Sequence, residues 1–162
     1  MKRILITILA AALLMTALCG CGGSKVEYRS DVAVDALSQS VLAGLARGSD
    51  LALMKESYVK GVMGMDVSGY AEYAVYVSAV GTNIDEFGIF KLGSVSAADA
   101  EKQIKDYLQM REDTWMKEYT PEEHPKLQNA EIKVCGSYLI YVILDDAERA
   151  ASLKAFEDAL TA

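Results

Sequence analysis

The run Tyr138 to Leu144 constrains this chain more than any other stretch, because it is apolar at nearly every position and too short for a buried helix. Gly136-Ser137 precedes it as a two-residue turn. Before that turn, Glu131 to Cys135 alternates, with Ile132 and Val134 to one side and Glu131 and Lys133 to the other. Two such segments around a glycine-bearing turn predict a β-hairpin. Its second strand has no polar face to give to water, so it belongs near the centre of a sheet and under helix on at least one side.

The rest of the chain supplies the partners. Tyr73, Val75 and Val77 alternate with Glu72, Ala74 and Tyr76, which reads as a strand. Turn residues at 80–85 separate it from Phe87 to Leu92, a second strand with Gly88 inside and Gly93 at its end. Helical spacing appears first after Asp31, in Val34, Leu37, Val41 and Leu45, and stops at Gly48. Ser49 or Asp50 would cap a second, shorter helix carrying Leu51, Met54 and Tyr58.

Ser96 to Asp99 forms a capping box that opens the longest helix. Its expected core face is Ala100, Ile104, Leu108, Arg111, Trp115 and Tyr119, with Trp115 the largest anchor. Glu101, Lys102, Lys105, Asp106, Glu112 and Lys117 form the expected solvated face. Thr120-Pro121-Glu122-Glu123 starts a short turn or helix that Pro125 limits. Asp145 and Glu148 cap a last helix with Ala151, Leu153, Phe156 and Leu160 inward. The sum is an α+β domain: a mainly antiparallel sheet of about four strands, helices packed on one face, preceded by a signal peptide.

That signal peptide occupies residues 1–20. Lys2 and Arg3 precede an apolar run from Ile4 to Leu18, shorter than the roughly 20 residues a membrane span needs. Leu18-Cys19-Gly20-Cys21 then reads as a lipobox, with small residues before the cysteine that takes the lipid. Cys21 is preferred over Cys19, which would leave bulky Leu18 at the cleavage position. Residues 21–30 are the lipidated cysteine and a flexible tether, and residues 31–162 a single domain. Two acyl chains, palmitate among them, hold a protein stably on a bilayer. The expected location is the extracytoplasmic face of the cell membrane, with the membrane reached through the lipid on Cys21.

Charge narrows the partners. The chain has 16 basic and 23 acidic residues, and losing Lys2 and Arg3 leaves 14 against 23, a net charge near −9. With no basic run to neutralise phosphates, nucleic acid is excluded as a partner. Cys135 is the one cysteine beyond the lipobox, so no intramolecular disulfide is expected in the mature chain and a buried apolar role suits it. A second reading makes Cys135 the nucleophile of a cell-envelope hydrolase, with His124, the sole histidine, as its base. A solvated loop position is the ordinary reading of His124.

No motif calls for a metal or a cofactor. Asp145-Asp146 fits helix capping, and Asp85-Glu86 fits a turn. Tyr73, Tyr76, Tyr138 and Tyr141 would line a ligand groove if one sheet face were uncovered; core and edge packing is the alternative.

The stretch Gly81 to Lys91 (GTNIDEFGIFK), the long helix with Arg111 and Trp115, and the hairpin ending at Asp145 follow the lipobox in an order that resembles a family of small lipoproteins from clostridia-type Gram-positive bacteria. That family carries a domain of unknown function. The resemblance runs from about Ser30 to Leu160, implies a surface lipoprotein and supplies no catalytic residues; Gly88 and the free Cys135 depart from its pattern. The expected function is a non-catalytic module that binds an envelope protein or a small ligand, or serves as a passive assembly component.

Overall fold

A computed structural model describes residues 26–116 and 118–161, so the leader Met1 to Cys21 lies outside the described residues. The elements in chain order are α1 (Val34–Ala43), a single 3-10 turn (Gly48–Asp50), β1 (Leu51–Leu53), α2 (Glu56–Gly61), β2 (Tyr70–Ser78), β3 (Glu86–Leu92), α3 (Ala97–Asp113), α4 (His124–Gln128), β4 (Glu131–Cys135), β5 (Tyr138–Ile143) and α5 (Asp146–Thr161). The strands form one antiparallel sheet in the order β1-β2-β3-β5-β4. β5 lies inside it with all six residues buried, as its apolar run demands.

Both faces of β5 need a cover. Tyr138, Ile140 and Val142 join Ala74, Tyr76, Phe87, Ile89 and Cys135 beneath α1 and α5. Leu139, Tyr141 and Ile143 join Val75, Phe90 and Ile132 beneath α2, α3 and α4. The fold is therefore α+β with an antiparallel sheet, but the helices cover two faces rather than the expected one. A strand without a polar side leaves no alternative, since each buried Leu, Ile or Val contributes about 1.5–3 kcal/mol only if its own face is closed.

The sheet has five strands instead of about four because Leu51–Leu53, expected in a short helix, pairs with β2 at Leu51↔Ser78 and Leu53↔Tyr76. The helical residues begin later, at Glu56, with Val59 the buried one. Edge pairing gives this segment backbone partners that a six-residue helix could not sustain alone.

The core face of α3 is Ala100, Ile104 and Tyr107. A row at strict four-residue spacing rotates about 40° per step around a helix of 3.6 residues per turn, so Leu108 and positions beyond it drift away from the sheet. The helix also ends at Asp113, where the Thr114 hydroxyl donates to the Met110 carbonyl (2.8 Å). Trp115 and Tyr119 lie past its end. On α5, Asp145 caps as expected by accepting from the Glu148 amide (2.9 Å), but Ser152 takes the buried place expected for Ala151.

α1 starts at Val34 with no side-chain cap from its own neighbours. Glu72 of β2 supplies it, accepting from the Val34 amide at 2.9 Å, and that bond holds the Glu72 carboxyl below its usual range. Ahead of α1, residues expected in the tether are docked from Tyr28 onward. The Arg29 amide donates to the Leu160 carbonyl (2.8 Å), Tyr28 Oη to Glu157 Oε1 (2.8 Å), and Tyr138 Oη to the Val32 carbonyl (2.6 Å).

Gly88 has a packing reason. It lies opposite Tyr141 in the ladder, and a Cβ there would stand 2.4 Å from Tyr141 Cε1 and 3.1 Å from Phe90 Cε2. Gly88→Ala is expected to destabilise the fold by about 1–3 kcal/mol, the usual result of forcing one carbon into a filled core; a urea midpoint shift at unchanged slope is the measurement.

Candidate functional site

β3 begins where the 79–85 loop ends, and its first residue faces the side covered by α3. Glu86 is 0% exposed. A buried carboxylate is tolerated only with close donors, and three surround it: Tyr141 Oη at 2.6 Å and Tyr107 Oη at 2.8 Å on Oε1, and Arg111 Nη1 at 2.8 Å on Oε2. Arg111 Nη1 also donates to Tyr107 Oη (2.7 Å). Burial, then the charge of Glu86, raises both phenols far above their usual range, so they remain donors. Burial alone would weaken the Arg111 proton, but Glu86 and Tyr107 reverse this and hold the guanidinium charged.

Asp85, 5% exposed, carries a second network. Arg47 Nη2 donates to its Oδ2 at 3.0 Å and Lys126 Nζ to its Oδ1 at 2.7 Å. Lys126 also bonds Glu123 Oε2 (2.9 Å), which accepts from the Ile84 amide (3.0 Å). Burial acts to lower the Lys126 ammonium, yet Asp85 and Glu123 raise it overall. The loop before β3 is thus held from the α4 side.

Between this loop and the end of α3 is a cleft of about 180 Å³. Gly81, Thr82 and Ile84 form one wall, Trp115 and Tyr119 the other, and the Arg111 side chain, 21% exposed, borders it from the core. Met116 and Tyr119 are 67% and 59% exposed on its rim. Thr120 beside them adopts φ +50°, a left-handed conformation costly for a β-branched residue. Trp115 is fixed from behind by His124, whose ring stacks on it at 5.2 Å and 9°. His124 Nε2 and Glu112 Oε1 lie 2.7 Å apart, so the histidine expected in solvent is a support for the cleft wall.

The residues singled out from sequence fall elsewhere. Tyr73 and Tyr141 pack with the α3 side and Tyr76 and Tyr138 with the α1 and α5 side. Tyr138 and Tyr141 are 0% exposed, so the four tyrosines line no common groove. Cys135 is 0% exposed in the α1 and α5 core, whereas His124 stands across the sheet against Trp115; the proposed nucleophile and base are not brought together. Burial raises the Cys135 thiol, opposite to what a nucleophile needs. Cys21 lies outside the described residues. Glu86, Tyr107 and Arg111 form the centre that turn propensity at Asp85-Glu86 concealed. The available signal was an arginine at an inward position of α3, which demands a buried countercharge.

Two outcomes test this geometry. Arg111→Met leaves the Glu86 carboxylate buried without its cation and is expected to cost about 3–5 kcal/mol, part of which returns in the double variant with Glu86→Gln; denaturant unfolding measures both. Cys135 is expected to resist iodoacetamide in the folded protein and to react fully in urea, read by intact mass.

Residues 48–144 match the model of a family described as Domain of unknown function (DUF4358). No curated protein and no solved structure matches the chain. The matched segment runs from the 3-10 turn past the end of β5 and contains the whole Glu86 centre and the cleft, while α1 and α5 lie outside it. On this match, the chain belongs to the DUF4358 family.

Proposed function

We propose that the protein is a lipid-anchored, extracytoplasmic binding module, tethered through Cys21, that takes a small ligand in the cleft beside Arg111. The anchor rests on the sequence Leu18-Cys19-Gly20-Cys21 behind a positively charged, apolar leader. The ligand site rests on one observation: a guanidinium locked to a buried carboxylate at the foot of an aromatic-walled cleft. Locking the cation beforehand removes the entropy cost of ordering it when a ligand arrives. The shape favours a molecule of amino-acid size with an apolar or aromatic body and an acidic group. Cys135, buried on the other side of the sheet, lends no support to the hydrolase reading.

Trp115 is the only tryptophan of the chain, so its emission reports on this cleft alone. N-acetylphenylalanine and benzoate are expected to change that emission saturably in the wild type and not in Tyr119→Ala. An unchanged signal across such acids would remove the ligand reading. For the anchor, the native protein is expected to partition into detergent with a mass that includes diacylglycerol on Cys21, and Cys21→Ala to lose both.

A further inference from the structure

The segment 28–33 ties the chain's route towards Cys21 to one end of the sheet. Tyr28 and Arg29 bond Glu157 and Leu160 in the last turns of α5, and Val32 accepts from Tyr138 at the start of β5. Tyr28 also covers the β4–β5 turn, where a Cβ on Gly136 would stand 3.1 Å from Tyr28 Cβ. The Leu92 amide donates to the Ser137 carbonyl (2.8 Å), which puts the loop after β3, with exposed Ser94, at this same end.

The cleft lies at the other end. Lys91 pairs with Tyr138 near the strap, whereas Glu86 pairs with Ile143 beside the cleft. β3, from Glu86 to Leu92, runs six steps of about 3.3 Å, about 20 Å from end to end. α5 marks the same separation: its first turn offers Glu148 to the Ala46 amide (3.0 Å), near Arg47 and Asp85, and its last turn receives Arg29.

We infer that the strap turns the domain so that the Gly136-Ser137 turn and the end of α5 face the bilayer while the Arg111 cleft opens away from it, so that its ligand is a water-borne molecule rather than a membrane lipid. This rests on the reading of Cys21 as the lipid anchor. Six residues lie between Cys21 and Tyr28, so the seven steps reach at most about 25 Å when fully extended. Inverting the domain would hold Tyr28 a sheet's length above the membrane and stretch that reach nearly straight, a conformation opposed by chain entropy.

The test uses the full-length lipidated protein in vesicles whose phosphatidylcholine carries a headgroup nitroxide. Bimane is attached to Ser94→Cys or to Val80→Cys, each in a Cys135→Ala background. Val80, 47% exposed, marks the cleft end. Quenching is expected to be several-fold stronger at 94 than at 80. Loosening the strap with Tyr28→Ala and Tyr138→Phe together is expected to shrink the difference while the protein still floats with its vesicles. Equal quenching or stronger quenching at 80 overturns the orientation, and a difference that survives loosening overturns the strap as what sets it; each leaves the anchor intact. A chain that does not float and shows an unmodified Cys21 by mass overturns the anchor and the orientation with it.

Discussion

Glu86 carries a charge where no water reaches it, and that constraint organises the molecule. Its donors come from two elements distant in sequence, Tyr107 and Arg111 on α3 and Tyr141 on β5, so α3 cannot slide on the sheet without stranding a charge. Apolar contacts between Ala100, Ile104 and the strands would permit small shifts. The hydrogen bonds permit one register. Because Arg111 stands within one turn of the end of α3, the same register fixes where Trp115 leaves the helix and therefore where the cleft forms.

Much of this fold can be read along the chain, because short-range physics governs it. The alternation of β2 and β4, the turn at Gly136-Ser137, the capping box at Ser96 and the cap at Asp145 all depend on neighbours within a few residues. β1 depends instead on an edge whose paired residues lie about 25 positions further along the chain, and three residues are too few to declare a period. The tyrosine grouping contained its own refutation. Tyr73 and Tyr76 are three apart, as are Tyr138 and Tyr141, and an odd separation within a strand places side chains on opposite faces.

The candidate site was less legible than the fold for a related reason. Asp85-Glu86 has the composition of a turn, and only the ladder partner of Glu86 reveals that the second acid already belongs to the strand. Arg111 stood at an inward helical position, but its partner lies 25 residues earlier in the chain. His124 similarly depends on Trp115 and Glu112, contacts made only because the chain doubles back after α3. The family segment contains all of these partners, whereas the helices that seal the opposite face come from outside it.

Asp85 receives Arg47 from the chain that follows α1 and Lys126 from α4, two elements lying on opposite sides of the sheet. A single carboxylate therefore works as a clasp, drawing the two helical layers together past the rim of the strands. Tyr28 and its neighbours tie the end of α5 to the β4–β5 turn at the other rim, with α5 running between the two ends. The domain is fastened at both ends, and a molecule pressing into the cleft beside the clasp would push against the closure of the whole stack, not against a loose flap.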